Sequence, residues 1–313
     1  MLLQRVSKYD ICNKNCKILK ILYTNICKFD CKYCVNTSKY FRKEKFTPLK
    51  LSKLFIRLYN LGLVKGLFLS SGICKDPDTT TEEMLEVVKL LREKYGFKGY
   101  IHFKILPGVA KDLIKRAAEL SNRLSINLET PSESYLAELS SVKDFKLDLL
   151  RRLRYISKIA EKFPNLSYTT QFIVGASQEN DLELLKRMYW LYSKFPKLRR
   201  CYFSAFEPIR GTPLEKKPAE RKSRVVQLYR ADFLIRVYKF KFQELSAAID
   251  ENGFFLEKDP KLVVYETFYK DLTPENASFQ ELLRIPGIGP KTARKLIVNR
   301  GDLKQKKLID YIS

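Results

Sequence analysis

The stretch Tyr23-Thr24-Asn25-Ile26-Cys27-Lys28-Phe29-Asp30-Cys31-Lys32-Tyr33-Cys34-Val35-Asn36 decides how the rest of the chain is read. It follows an apolar run over 18–23 that reads as a buried strand. Its three cysteines, at C-x3-C-x2-C spacing, therefore sit on a loop leaving a strand end. A loop can turn several thiols toward one place, and three thiolates can hold three irons of a [4Fe–4S] cube. Electron-transfer clusters of this kind use four cysteines. A three-cysteine loop leaves one iron free to bind a small molecule. Two plainer readings stand beside this one: three buried structural thiols, or three of the four ligands of a zinc ion.

Composition narrows the classes. The chain has 313 residues, enough for one large domain and a smaller one. Hydrophobic content of 45% supports a core. Lys and Arg number 59 against 35 Asp and Glu, a formal net charge of +24. Such an excess is either an electrostatic footprint for a polyanion or a lysine-rich solvated surface. A single His excludes a His-rich metal site and a Cys2His2 finger. No apolar run approaches the ~18–20 residues of a membrane span. The start, Met1-Leu2-Leu3-Gln4-Arg5-Val6, meets charge too soon for a signal peptide. Seven cysteines without a secretion signal predict a reducing, cytoplasmic setting and metal or redox use, not disulfides.

Along the chain, strand and helix patterns alternate. Cys12 and Cys16 precede the triad and are either free thiols on a turn or half of a second metal site. Thr47 and Pro48 read as N-cap and first residue of a helix. The strand over 65–72 ends in Ser70-Ser71-Gly72, small residues that let a ligand approach the backbone. Cys74 follows two residues later. Helices are predicted over 79–95, 109–120, 146–162 and 181–192, and strands over 99–105, 123–129, 168–175 and 200–206. Side chains alternate across a strand. His102 and Lys104 thus share a face and are candidates to meet substrate, as is Gln171 in the fifth strand; a hydrogen-bonded core role for His102 is equally open. Ser125, Asn127 and Glu129 share the polar face of a cleanly alternating strand, which predicts that this face binds something. Cys201 reads as a packed thiol.

Six strand–helix pairs in succession predict a parallel α/β sheet with right-handed crossovers. After Pro218 the pattern turns helical, with helix over 221–239 continuing through 240–251, then a connector over 259–274. The end carries Leu283-Arg284-Ile285-Pro286-Gly287-Ile288-Gly289-Pro290-Lys291-Thr292-Ala293-Arg294-Lys295. Gly287 and Gly289 permit a tight turn that bares backbone N–H groups at a helix start, suited to a phosphate oxygen. Lys291, Arg294 and Lys295 add positive charge beside it; a purely packing hairpin is the alternative.

The C-x3-C-x2-C loop with Tyr33 before its last cysteine resembles the signature of radical S-adenosylmethionine (SAM) enzymes. That resemblance implies an α/β partial (βα)6 TIM-like barrel. It implies a [4Fe–4S] cluster on Cys27, Cys31 and Cys34, and SAM bound through the open iron. SAM contacts are then expected from Tyr33, from Ser70, Ser71 and Gly72, from Ser125, Asn127 and Glu129, and from the loop at Gly175. The Pro208-Ile209-Arg210-Gly211-Thr212-Pro213-Leu214 run is similar to the sixth-strand exit of several such families. The tail resembles a helix–hairpin–helix motif. The order of both signals resembles the radical SAM proteins assigned to DNA modification or repair. The implied partners are nucleic acid, DNA ahead of RNA, and an electron donor such as flavodoxin or ferredoxin, with no membrane. The expected domains are an N-terminal extension at 1–17, a radical SAM core at 18–218, a helical extension at 219–274 and a helix–hairpin–helix module at 275–313. A tRNA- or RNA-modifying enzyme and a non-enzymatic iron–sulfur sensor are the alternatives.

Overall fold

A computed structural model describes residues 10–12, 17–275 and 277–310. Cys16 and most of the 1–17 extension lie outside the described residues, as does the side chain of Cys12. The chain divides into two compact units, Met1–Glu179 with Ser193–Glu220, and Asn180–Tyr192 with Arg221–Ser313.

The first unit is built on one sheet with strictly sequential strand order: β1 (Asp10–Cys12), β2 (Ile18–Leu22), β3 (Gly66–Ser70), β4 (Tyr100–Lys104), β5 (Arg123–Ser125), β6 (Ser167–Val174) and β7 (Leu198–Ala205). β2 to β7 are parallel, and β1 runs antiparallel along β2. β1 has no counterpart in the sequence reading, because three residues carry no periodic signal. The six parallel strands match the expected alternation. Alternate residues set the layers: Leu19, Ile21, Leu67, Leu69, Ile101 and Phe103 are buried on the side covered by helices, whereas Lys20, Phe68, Ser70, His102 and Lys104 take the other face.

The crossovers are helical. α1 (Pro48–Asn60) begins where Thr47 Oγ1 accepts the Lys50 N–H, with Pro48 supplying a pre-set φ. α2 (Pro77–Lys89) is capped by Asp76 and runs on into a π-helical turn, Leu90–Lys94. α3 (Lys111–Leu120) follows β4, and a short α4 (Glu133–Leu139) lies before the next crossover. α5 (Arg151–Lys162) begins in a π turn, Phe145–Leu150, and buries Leu153, Ile156, Ile159 and Ala160.

Within the second unit, α6 (Asp181–Lys194) for all but its last two residues joins α7 (Lys222–Tyr238), α8 (Phe242–Ser246), α9 (Pro260–Val264), α10 (Phe279–Leu282) and α11 (Pro290–Asp310). Two expectations are corrected here. The helix over 240–251 does not continue from α7, because Lys239 takes the left-handed conformation (φ 57°) and closes it. The connector over 259–274 is largely helical: Asp259 caps α9 at the Lys261 N–H, and a π turn over Tyr265–Tyr269 extends it. Arg284, buried, makes a two-pronged ion pair with Glu244, both bonds 2.8 Å, and so ties α8 to the segment after α10.

Candidate active site

The cysteine loop is held at the C-terminal ends of β2 and β3. Tyr23 N–H bonds to Ser70 O at 2.7 Å, Gly72 N–H to Thr24 O at 2.7 Å and Lys28 N–H to Ile73 O at 2.8 Å. A side chain at Gly72 would put a Cβ 2.5 Å from Ile26 O and 3.2 Å from Cys27 Cβ. Glycine is therefore needed for close approach of two backbones, not for φ. On its other flank the loop is tied to the end of α4. Lys32 N–H bonds to Leu139 O at 2.9 Å, and Asp30 accepts from Ser140 Oγ, Ser141 Oγ and Ser141 N–H.

Burial opposes ionisation of Asp30, but those three donors outweigh it and bring its pKa down to about 2. A carboxylate depressed in the folded state stabilises fully above the unfolded value and loses that contribution as pH falls through the folded one. Asp30→Asn is therefore expected to lower the melting temperature at neutral pH, with the gap from wild type closing as pH drops toward about 2. A pH series of thermal melts checks this; a gap that does not change with pH would remove Asp30 as an anchor.

Cys27, Cys31 and Cys34 line one cavity of about 260 Å³, together with Tyr33, Asn36, Ser71, Gly72, Lys104, Asn127, Glu129 and Lys143 among others. Cys31 is buried; Cys27 and Cys34 are half-buried. Burial raises the Cys31 thiol, against the pull of Lys143, and raises Cys34 to about 11. Ligation would displace a proton from each of these two. Among the described residues, no group of three or more Cys, His, Asp or Glu side chains closes on a single metal ion. Three cysteines on one cavity wall are the protein ligands that a cube with one open iron would need, each thiolate meeting a different iron.

The same cavity holds polar atoms that lack partners. Asn36 Oδ1 and Ser71 Oγ are buried without a hydrogen bond. Burying an unsatisfied polar atom costs about 1–3 kcal/mol, so these atoms mark a place built for a polar ligand. The donor set and the orphaned acceptors fit a cluster with SAM beside it.

Lys143 has no local signal in the sequence: it is one lysine in a loop among 59 basic residues. Its side chain is 6% exposed, and the ammonium lies 3.6 Å from Glu129 Oε1 and 3.5 Å from Tyr33 Oη. Burial pushes its pKa down, but the Glu129 carboxylate and the Cys31 sulfur overcome this and hold it above the usual lysine value. Glu129 has φ 66°, a left-handed backbone rare outside glycine, fixed by bonds from its N–H to Gln171 O and from Ile173 N–H to its O. This turn corrects the expected strand over 123–129. Regular pairing stops at Ser125, and only an isolated bridge, Glu129 to Phe172, continues it.

The remaining sequence-derived residues divide between two cavities and the core around them. Tyr33, Ser71, Gly72, Asn127 and Glu129 line the cysteine cavity. Ser70, Gln171, Asn127 and Lys104 line a second cavity of about 490 Å³, which shares Asn36, Lys104 and Asn127 with the first. Burial lowers the Lys104 pKa, while Glu129 opposes the shift. His102 and Ser125 line neither cavity: His102 Nε2 and Ser125 Oγ share a 2.8 Å hydrogen bond, and the ring lies 4.3 Å from Phe68. Burial drives the His102 pKa down to about 3, so the imidazole is neutral. Gly175 (φ 83°) also lies off both cavities, with its N–H donated to Glu179 Oε1 at 2.6 Å. Cys201 is buried, and Cys74 is half-buried with its N–H on Thr80 Oγ1.

In the second unit, Gly287 has φ 79° with open space where a side chain would be. Ser278 and Glu281 form a capping box at the start of α10. Leu282, Leu283 and Ala293 pack with Ala277, so the hairpin has its own small core. Lys291, Arg294 and Lys295 are exposed on the first turns of α11.

Comparison with known proteins agrees with this geometry. A helix-hairpin-helix motif matches residues 275–298. A tRNA-2-methylthio-N(6)-dimethylallyladenosine synthase of Bacillus subtilis is 28% identical over 200 residues, 62% of this chain and 36% of the relative. The enzyme of that name from Lachnoclostridium phytofermentans is 21% identical over 255 residues, 80% of this chain and 53% of the relative. The chain thus spans about a third to a half of the curated relatives it matches. Among solved structures, methylornithine synthase shares the fold with a TM-score of 0.56 at 17% identity, over 70% of this chain and 63% of that one. The hydrogenase maturase HydG of Carboxydothermus hydrogenoformans does so with 0.57 at 13%, over 89% and 75%. The Radical SAM superfamily model matches residues 21–190, more than half of the chain, and spans the end of β2, the cysteine loop, β3 to β6 and the lining of both cavities apart from Lys20 and Ile209; the chain belongs to the radical SAM superfamily and is an enzyme of it, using a [4Fe–4S] cluster and SAM.

Proposed function

We propose that this enzyme modifies a nucleotide carried by a nucleic acid. The observation that carries the proposal is the hairpin at Gly287 and Gly289, with three exposed cations beside it, in the same chain as a radical SAM core. When bound, the cluster and SAM supply a one-electron cleavage of the sulfonium that yields a 5′-deoxyadenosyl radical. The chain's own residues bind and orient. Cys27, Cys31 and Cys34 would hold three irons. Asn36, Ser71, Asn127 and Glu129 offer polar atoms to SAM, and Lys104 and Lys143 offer positive charge to its carboxylate. Phe29, Ile73, Leu106 and Ile173 give the cavity apolar wall, which limits the water that can reach a reactive centre.

RNA is the first choice of substrate. The curated relatives are named as tRNA modification enzymes, and their similarity reaches this chain's core. DNA modification or repair is the second, supported by the order of core and hairpin. Radical SAM membership sets aside the non-enzymatic sensor. A flavodoxin or ferredoxin as electron donor, and a cytoplasmic location, belong to the same proposal. Among the described residues, no helix is long and apolar enough to cross a membrane.

Retention of tRNA and of DNA at matched salt, followed by mass spectrometry of nucleosides from cells with and without the gene, tests the proposal. Retention of neither would overturn it. Replacing Lys291, Arg294 and Lys295 together by alanine is expected to weaken binding across all sequences. It should also reduce the slope of log affinity against log salt by about 3, roughly 1 for each phosphate no longer neutralised. An unchanged slope would remove these side chains from the interface.

A further inference from the structure

The second cavity opens on a rim that the reaction does not require. Between the cysteine loop and α1, Tyr40 is 56% exposed and Phe41 44% exposed. The backbone that carries these two rings is held in place. Ser38, fully buried, donates from Oγ to Arg210 O at 2.7 Å and accepts the Tyr40 N–H. The Arg210 guanidinium lies 4.7 Å above the Tyr40 ring. Gly211 has φ 77°, and a Cβ there would fall 2.3 Å from the Tyr40 ring. Asn25 pins the far side, donating to Arg42 O at 2.8 Å and accepting the Glu44 N–H at 2.7 Å. The loop is therefore fixed on both sides while its two rings stay about half exposed, Tyr40 with Arg210 over one face and Phe41 on the cavity wall.

Charge at this rim is one-sided. Lys39, Arg42, Lys43 and Arg210 are exposed. Of the nearby carboxylates, Glu44 pairs with Arg42 at 3.2 Å and Glu215 accepts the Gly211 N–H. Phe41 and Arg42 belong to the cavity wall itself. Behind them the wall carries Lys20, Lys104 and the Gln171 amide, with no Asp or Glu among its lining residues. At about 490 Å³ the cavity is in the range that holds a single small ligand.

We propose that this rim is a stacking platform for a single-stranded stretch of the substrate. One unpaired nucleotide enters the cavity, a flanking base stacks on Tyr40 and Phe41, and the phosphates meet Arg42 and Arg210. Rigid aromatic faces beside guanidinium groups are how proteins hold unstacked bases. A base within a duplex has no free face to offer such a ring. The inference rests on the nucleic-acid reading and adds to it that the target nucleotide is presented unpaired. RNA and single-stranded DNA supply the same chemistry.

The full chain should be titrated with short 2-aminopurine-labelled RNA, the same sequence as single-stranded DNA, and the matching duplex. We expect tighter binding of one or both single strands, with quenched fluorescence. Tyr40→Ala and Phe41→Ala should each weaken single-strand binding roughly ten-fold and restore the fluorescence. Tyr40→Trp should keep both, and the duplex, held by the hairpin, should bind as before. Equal losses on single strand and duplex, or single-strand binding unaltered in the double alanine variant, would overturn the platform alone. If the wild type binds the duplex only, the platform also falls alone. If it binds no nucleic acid, the functional proposal falls with it.

Discussion

Replacing Cys31 with alanine is expected to leave a folded protein that takes up no more iron and sulfide than background and yields no 5′-deoxyadenosine from SAM under dithionite. The reason is the economy of the loop. On the proposed assignment Cys27, Cys31 and Cys34 hold the cube, and Cys31 is the buried one of the three, on a cavity wall shared with Lys143 and Tyr33. A cluster held by only two protein ligands has two exposed irons and no geometric hold on either. The fold does not depend on the thiol in the same way. The loop is anchored by backbone bonds to β3 and to the end of α4, and by Asp30, none of which involves the Cys31 side chain. Cluster content by iron and sulfide assay, product by chromatography and secondary structure by circular dichroism separate the two consequences. Wild-type yields of 5′-deoxyadenosine from the variant would reject the assignment of this loop to the cluster.

Lys143→Met is expected to cost about 3–5 kcal/mol of stability, because it leaves the Glu129 carboxylate buried without its cation. The 3.6 Å separation and a position on a cavity wall place the loss at the lower end of that range. Removing the charge from both partners, in Lys143→Met with Glu129→Gln, should recover most of it, since the expensive state is the half-pair. Urea denaturation of the two single variants and the double variant measures the coupling. A Lys143→Met midpoint equal to that of wild type would show that Glu129 has another source of compensation.

Legibility in the sequence differs by residue. β2 is legible because its apolar run ends directly in the cysteine loop, and α1 because Thr47-Pro48 is a capping signal with a mechanism. The polar faces around His102 and Asn127 are legible as patterns and only partly as places. Lys104, Asn127 and Glu129 line the cysteine cavity, while His102 and Ser125 satisfy each other. Side-chain alternation identifies a face, but not how far along the strand the lumen begins. Lys143 is illegible because its role comes from a meeting with Glu129 and Cys31 that no local spacing encodes. The break at Lys239 is illegible for a related reason: a lysine in the left-handed region carries no glycine to announce it.

The strand order has a consequence for how bulky a substrate can be. The girth of a closed barrel is set by its strand number and stagger. In the described residues this sheet ends at β1 on one side and β7 on the other, so no hydrogen-bonded seam fixes a circumference. Small changes in twist between neighbouring strands can widen or narrow the lumen without breaking a ladder. If the substrate is the nucleotide proposed above, an unsealed sheet of this kind suits one still attached to its polymer, where a sealed cylinder would admit only a free monomer.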